Sequence, residues 1–245
     1  MIEIKSLPAG CAARRSETAC ETCGARAFSV CGSLGPADLA KLDALAEATA
    51  FAPGQPLAHE GDPADYLFNI TSGSVRVYKL LSDGRRQITG FLFAGDFLGL
   101  ASGDRHLFTA EAIEPSTACR FRRTAYQALV HDSPSLERAL LDRARHELAA
   151  AQSQMLLLGR KTAHERLASF LLDLPSQDPL RPNAEGRVRL PMTRGEIADY
   201  LGLTIETVSR VLTKLKTQGV IRLLSLNELS LERPEQLRAM AEGEI

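Results

Sequence analysis

Residues 192 to 219 decide the fold of the second half of the chain, and they read Met-Thr-Arg-Gly-Glu-Ile-Ala-Asp-Tyr-Leu-Gly-Leu-Thr-Ile-Glu-Thr-Val-Ser-Arg-Val-Leu-Thr-Lys-Leu-Lys-Thr-Gln-Gly. The Thr-x-x-Glu pair at their start has the spacing of a capping box, which begins a helix. Gly202 ends this short helix, and Thr204 caps a longer one that is expected to reach about Gln218. A short helix, a glycine turn and a longer second helix predict a helix-turn-helix.

The second helix presents a polar face near its beginning. Glu206, Ser209 and Arg210 are spaced i, i+3 and i+4, so they share one side of the helix. A carboxylate accepts from cytosine and a guanidinium donates twice to guanine, so this face is suited to reading base edges. The alternative is a purely structural three-helix core whose charged face is only solvated. The predicted DNA-binding residues are Thr204, Glu206, Thr207, Ser209, Arg210 and Lys214.

A second helical pattern lies in the middle of the chain. Apolar residues recur there at spacings of three and four, the repeat of a helix that packs along another helix. The period alone also fits a helix lying on the core of its own domain. The predicted dimer-interface residues are Leu141, Ala144, Leu148, Ala151, Met155 and Leu158.

The region from 51 to 122 consists of short runs rich in β-branched and aromatic residues, separated by turns such as Asp83-Gly84. This pattern predicts a β-sandwich or a small barrel. The predicted strands are 67–70, 75–80, 88–93 and 108–113. The predicted helices are one that starts at Pro36 and ends before Pro53, one at 124–131, and the central helix, which is expected to continue through 161–174. A wing is expected from the pairing of 220–224 with 229–231.

Composition narrows the class of protein. The 245 residues are 44% hydrophobic with a net charge of −1, as in a globular protein. No apolar run of signal-peptide or membrane-spanning length is present, so a cytoplasmic location and no membrane partner are predicted. No Ser/His/Asp constellation, P-loop or paired carboxylate site is visible, so we do not expect an enzyme.

The cysteines are unevenly placed. Cys11, Cys20, Cys23 and Cys31 lie near the N-terminus, and Cys119 lies far downstream. In a reducing compartment such a cluster indicates a metal or cofactor site rather than disulfides. Four thiolates can hold zinc or an iron–sulfur cluster, and the sequence alone does not separate these. A thiol oxidoreductase would place its Cys-x-x-Cys in a βαβ unit, and no such pattern is present.

The stretch 192–210 closely resembles the helix-turn-helix of the CRP/FNR transcription regulators, and its Glu-x-x-Ser-Arg face is similar to their FNR branch. The resemblance extends to Gly-x-x-Leu-x-x-Glu-Gly at 54–61, to Leu-Phe-x-Ile-x-x-Gly-x-Val at 67–75, and to the central helix. It implies an α+β fold with an N-terminal cyclic-nucleotide-binding-like β-roll (a double-stranded jelly roll), a long dimerisation helix and a C-terminal winged helix-turn-helix. The implied domains are 1–32 (cysteine-rich), 33–133 (β-roll), 134–161 (dimerisation helix) and 162–245 (DNA-binding).

The same resemblance implies an oxygen-labile [4Fe–4S] cluster held by Cys20, Cys23, Cys31 and Cys119, with Cys11 spare or a substitute for Cys31. It further implies an oxygen-responsive homodimer that binds palindromic double-stranded DNA with TTGAT-like half-sites and contacts RNA polymerase. The alternative is a regulator of this family with another signal, such as zinc, haem or nitric oxide, or a small-molecule effector.

Two features depart from what related proteins carry. Cyclic nucleotide is not expected, because Gly95-Asp96 and the following Asp104-Arg105-His106-Leu107 lack an Arg-Ser or Arg-Thr pair for the phosphate. FNR proteins commonly have an acidic residue before the Met-Leu-Leu-Leu run, whereas this chain has Gln154. We therefore predict that its cluster-free form retains more dimer than repulsion between acidic residues would allow.

Overall fold

A computed structural model describes residues 19–100, 103–180 and 186–244. The chain divides into two compact units. Of the described residues, 19–77, 91–100 and 103–147 form one unit, and 78–90, 148–180 and 186–244 form the other. Cys11 lies outside the described residues.

The first unit is built mainly of short strands. After two 3-10 turns at Arg26–Phe28 and Val30–Ser33, its elements in chain order are α1 Pro36–Leu45, β1 Glu47–Phe51, β2 Pro56–Ala58, β3 Tyr66–Ser72, β4 Val75–Leu80, β5 Arg86–Leu92, β6 Phe97–Leu98, β7 Thr109–Ala112, β8 Ser116–Arg122 and α2 Arg123–Asp132. The end of β4 and the start of β5, within 78–90, belong to the second unit.

These strands form two four-stranded sheets, in the orders β1-β8-β3-β6 and β2-β7-β4-β5. Successive side chains of a strand point to opposite faces, and β3 shows this clearly. Leu67 packs into one hydrophobic core, while Phe68 and Ile70 pack into another. The arrangement confirms the predicted β-roll. Asp83-Gly84 forms the turn between β4 and β5, with Gly84 at a φ of +85°.

Three strands of the first sheet, β1, β6 and β8, were not predicted from the sequence. β1 falls where a helix or its following loop was expected, and β8 carries two arginines, Arg120 and Arg122, that interrupt its apolar pattern. Both are strands because of pairing with distant segments: β8 lies between β1 and β3 and is hydrogen-bonded to both. Tertiary pairing thus overrides a weak local preference.

The long helix α3 runs from Pro134 to Arg160 and is followed by α4, Ala163–Gln177. The prediction that one helix continues through 161–174 was wrong. Thr162 begins a new helix through a capping box in which its hydroxyl accepts from the Glu165 N–H and its own N–H donates to the Glu165 carboxylate. α4 also extends two residues past Pro175, where its end was expected.

The second unit contains the predicted helix-turn-helix. Its remaining elements are β9 Arg187–Arg189, α5 Arg194–Leu201, α6 Ile205–Thr217, β10 Ile221–Leu223, β11 Glu228–Leu231 and α7 Pro234–Glu242. The predicted wing is present as β10 and β11, and β9 joins β11 on its other edge. α4 packs against α7 and α6. No helix within the described residues is long and apolar enough to cross a membrane.

Candidate DNA interface and cysteine site

α6 has one buried and one exposed side. Its buried side chains are Val208, Val211, Leu212 and Leu215. Glu206, Arg210 and Lys214 follow one another at intervals of four and are exposed, so they form a continuous charged stripe on the outer side. Ser209 is half-buried beside this stripe. The exposed stripe can enter a major groove while the apolar side holds the helix to its domain.

The beginning of α6 is fixed by Thr204. Its hydroxyl accepts from the Thr207 N–H at 3.2 Å, and Arg210 Nη2 reaches Thr207 Oγ1 at 3.4 Å. The Glu206 N–H and the Thr204 hydroxyl lower the pKa of the Glu206 carboxyl, so this group is ionised at neutral pH. The Glu206 carboxylate, an acceptor, and the Arg210 guanidinium, a donor, therefore lie one turn apart on the exposed side of α6, which we call its reading face.

Two further basic side chains lie at this face, and the sequence did not single them out. Arg194 of α5 donates from Nη1 to Ser209 Oγ at 3.4 Å. His164 lies on α4, which packs against α6, and partial burial and, next, the charges of Lys214 and Arg210 lower its pKa. Residues 187–222 carry seven basic and three acidic side chains. This excess was a signal for Arg194 but did not identify it as a neighbour of α6, and His164 lies outside the stretch.

The four candidate metal-ligating cysteines all lie in the first unit, and three of them share one hydrophobic core. Cys20 and Cys31 are buried in one hydrophobic core, and Cys119 packs against the same core. Cys23 is half-buried, and the charge that its thiol would carry acts on both Cys31 and Cys119. All four are free thiols. The structure therefore places Cys119 against the same core as Cys20, which lies 99 positions earlier in the sequence (119 − 20).

Local hydrogen bonds position these thiols. The Cys20 N–H donates to Asp43 Oδ1 at 3.1 Å, and the Cys31 N–H donates to Ser29 Oγ at 3.3 Å. Cys119 lies on β8 opposite Asn69 of β3. The turn between Cys23 and Cys31 is packed so closely on the β-roll that a Cβ at Gly95 would lie 2.7 Å from the Phe28 carbonyl oxygen.

Burial dominates the electrostatics of this site. It raises the pKa of Cys119 to about 12, with smaller contributions from Cys23 and Cys31. Burial likewise raises the pKa of Cys31, and burial followed by the nearby Asp43 raises that of Cys20. These thiols are protonated at neutral pH in the metal-free protein, so a metal group must displace protons when it binds.

Comparisons with known proteins agree for both halves of the chain. A cyclic nucleotide-binding domain matches residues 48–133, and a Crp-like helix-turn-helix domain matches residues 165–240. The transcriptional activatory protein AadR of Rhodopseudomonas palustris is 44% identical over 203 residues, which cover 82% of this chain and 85% of AadR. The chain belongs to the CRP/FNR family of transcription regulators.

Other CRP/FNR relatives carry different names. The nitrogen fixation regulation protein FixK of Bradyrhizobium diazoefficiens is 41% identical over 222 residues (91% of this chain, 93% of FixK). The transcriptional activator protein FnrL of Cereibacter sphaeroides is 36% identical over 208 residues (83% and 84%). The structure of FixK2 from Bradyrhizobium japonicum matches with a TM-score of 0.75 at 39% identity, covering 80% of this chain and 96% of that one. The protein is thus a DNA-binding transcription regulator of the FNR/FixK type, and the expectation that it is not an enzyme is confirmed.

α3 of this CRP/FNR regulator exposes a stripe of apolar side chains. Leu141, Leu148 and Met155 are 52%, 60% and 69% exposed, although leucine and methionine are normally buried. Ala144 and Ala151 between them are also exposed, and Leu158 is half-buried. The stripe coincides with the predicted heptad seam.

Proposed function

We propose that this regulator binds DNA as a homodimer and responds to oxygen through a [4Fe–4S] cluster held by Cys20, Cys23, Cys31 and Cys119. The observation that carries the proposal is that three of these thiols, Cys20, Cys31 and Cys119, share a single core of the first unit, with Cys23 between the first two in sequence. Bound there, the cluster would supply reactivity towards oxygen, whose outcome is loss of the group and release of the thiols. The four cysteines would hold it, and the domain division proposed from the sequence would give residues 1–32 this task.

The donor set fits such a group. Three thiols lie in one core, and two buried polar atoms on the same side, Tyr126 OH and Asn69 Oδ1, have no hydrogen-bond partner among the described residues. Buried polar atoms are normally paired, so unpaired ones beside thiols suit a site that a further group completes. A cluster binds each cysteine through a different iron atom, and it therefore takes thiols that are spread more widely than those around one ion.

Contacts within the first unit connect the cysteine core to the start of α3. Leu136 and Ala139 of α3 belong to the same core as Cys20 and Cys31. α1 makes a second connection, because its Asp38 accepts hydrogen bonds from Ser133 Oγ at 2.8 Å and Ser135 Oγ at 2.6 Å, while Asp43 of α1 accepts from Cys20. A change in the packing of the cysteines would therefore alter the packing of the first residues of α3, the proposed dimerisation helix.

The exposed stripe on α3 supports pairing with a second copy. An apolar seam at heptad spacing is buried when two such helices pack together. Two helix-turn-helix domains in a two-fold dimer then read two half-sites about one DNA turn apart. In this proposal Glu206, Ser209 and Arg210 read bases of a TTGAT-like half-site, Thr204, Thr207 and Lys214 contact the backbone, and the bound dimer contacts RNA polymerase as an activator.

Cyclic nucleotide is not proposed as the signal. Asp96, the acidic residue of the Gly95-Asp96 turn, accepts a hydrogen bond from the Phe93 N–H at 2.7 Å and is ion-paired with Arg143 of α3. Its carboxylate is thus already engaged by the protein itself.

The second candidate is the same DNA-binding protein with a different signal, such as zinc, haem or nitric oxide, or a small effector. A signal other than a cysteine-held metal is favoured by one observation: within 19–100, 103–180 and 186–244, no three His, Cys, Asp or Glu side chains are grouped closely enough to hold a metal ion. Zinc requires sulfurs about 2.3 Å from the metal, so a zinc site would need the thiols to move closer together.

Purification without oxygen separates the two candidates. The cluster proposal predicts a coloured protein that contains iron and sulfide in equal amounts and loses colour and DNA binding in air. Cys119→Ala should abolish both the visible absorption and anaerobic DNA binding, whereas the matched variant Cys11→Ala should keep them. A colourless, zinc-bearing dimer that is insensitive to air would refute oxygen sensing by a cluster.

A further inference from the structure

Tyr126 of α2 has a buried hydroxyl without a partner. The residue is 1% exposed, and its ring packs against Phe97 and Phe121 with centroids 5.5 Å and 5.2 Å away. Its hydroxyl finds no hydrogen-bond partner among the residues that the structure describes. A phenylalanine would pack equally well and avoid the cost of an unpaired buried hydroxyl, so the packing of the ring does not account for the oxygen atom.

The location of the hydroxyl points to the cysteines. Tyr126 belongs to the core that contains Cys20 and Cys31, and Phe121, which touches its ring, follows Cys119 on the same face of β8. Burial and, next, the charge of Cys31 raise the pKa of Tyr126, in agreement with the membership of both side chains in this core. Asn69, 2% exposed and opposite Cys119, has its Oδ1 unpaired on this same face.

We propose that the Tyr126 hydroxyl donates a hydrogen bond to a sulfur atom of the bound group, either a cysteine thiolate or a sulfide, and thereby sets how readily that group is oxidised. The inference rests on the proposed function, since the acceptor exists only when the thiols carry the cluster. A phenol is a donor at neutral pH, and thiolate or sulfide is a far better acceptor than the neutral thiol.

The direction of the effect follows from charge. A hydrogen bond to sulfur stabilises the electron-rich, reduced state, so it raises the reduction potential and makes oxidation harder. Removing the donor should therefore speed the loss of the group in air without removing any ligand. Tyr126 would be a positioning residue that determines the sensitivity of the sensor.

The test compares Tyr126→Phe with Tyr66→Phe. Tyr66 also lies in the first unit, but its hydroxyl accepts from Arg122 Nη2 at 3.1 Å and belongs to the other core. Both variants are reconstituted without oxygen, and iron content, decay of visible absorption in air, reduction potential and the Fe–S(Cys) Raman bands in H₂O and D₂O are measured. Tyr126→Phe should bind as much iron as wild type, lose it roughly fivefold faster in air and lack the isotope shift of the bands. Tyr66→Phe should match wild type.

The outcomes distinguish the two ideas. A wild-type protein that binds no iron overturns the cluster proposal and this inference together. A wild-type protein with a cluster, and a Tyr126→Phe variant with unchanged decay, potential and isotope shift, overturns the role of Tyr126 alone. If Tyr126→Phe fails to bind iron, 3-fluorotyrosine is placed at position 126 instead, and the rate at which the visible absorption is lost in air is compared with wild type. A stronger donor should slow the loss below the wild-type rate, and an unchanged rate would refute the hydrogen bond.

Discussion

At the scale of single residues, the charged stripe of α6 combines two kinds of DNA contact. Arg210 lies one turn from the beginning of the helix, where a recognition helix reaches base edges, and Lys214 lies one turn further along. A guanidinium that binds guanine through two hydrogen bonds contributes specificity, whereas an ammonium near phosphate contributes affinity alone. The two residues should therefore respond differently to truncation.

Arg210→Ala is expected to weaken binding to the specific site by about 1–3 kcal/mol and to leave binding to random DNA nearly unchanged. Lys214→Ala should weaken both by a similar factor and reduce the salt dependence of binding by about one ion. Titration of both variants against both DNAs at several salt concentrations measures this. Equal losses on the two DNAs for Arg210→Ala would mean that it contacts only the backbone.

His106 is expected to make the stability of the β-roll depend on pH. Burial and the charge of Arg123 lower the pKa of this histidine, and the opposing effect of Asp62 and Asp65 is smaller. A histidine whose pKa is lower in the folded than in the unfolded state stabilises the fold fully above its unfolded pKa of about 6.5. This stabilisation is lost as the pH falls through the folded value.

Urea unfolding of the metal-free protein under reducing conditions should thus show a free energy of unfolding that decreases from about pH 7.5 to about pH 5.5. His106→Gln should reduce this slope, and His164→Gln should reduce it too, because the pKa of His164 is lowered as well. A slope that is the same in wild type and in the double variant would show that neither histidine is responsible.

At the scale of elements, α3 exposes an apolar stripe that we expect a second copy of the chain to cover. Met155→Asp places a charge in the seam, and since the side chain of Met155 would be buried twice in a two-fold dimer, we expect dimer dissociation to be at least about tenfold easier. Ser153→Asp adds the same charge to the same helix at an exposed position away from the seam. Sedimentation of both variants measures the effect, and equal dissociation constants would place the interface elsewhere.

Elements with strong local signals were predictable from the sequence. α5 and α6 were predicted almost to the residue, because the capping box of Thr193, the left-handed glycine at 202 and the cap at Thr204 each fix a helix end by themselves. The hairpin at Asp83-Gly84 belongs to the same class. β1 and β8 were missed because their backbones depend on strands far away in the sequence, and β9 and α7 were also unforeseen.

The residues of the candidate sites likewise fall into those that the sequence predicts and those that depend on tertiary packing. Spacing and family resemblance were enough to nominate the four cysteines and the reading face of α6. Neither indicates which side chains pack beside them. Tyr126, Asn69, Arg194 and His164 became visible only through the pairing of β3 with β8 and the packing of α2, α4 and α5.

At the scale of the whole molecule, Gln154 stands where the family resemblance leads one to expect an acidic residue. Its side-chain amide donates from Nε2 to the Tyr200 carbonyl oxygen at 3.0 Å, and Gln87 Nε2 approaches the same oxygen at 3.4 Å. A carboxylate at position 154 would lack that donor and would repel the carbonyl oxygen. Gln154 therefore fixes α3 to α5 within the second unit, and it is also expected to remove a repulsion between the two copies.

The cluster-free protein should consequently remain partly dimeric at micromolar concentrations, and Gln154→Glu should make it largely monomeric. Gln152→Glu adds the same charge to the exposed part of α3 without a contact to Tyr200, so it separates the effect of charge on the helix from the loss of this hydrogen bond. If sedimentation shows equal dissociation for both glutamate variants, charge alone weakens the dimer. If the wild-type apo-protein is already monomeric, Gln154 does not protect the dimer, and α3 depends on the bound sensor group to pair.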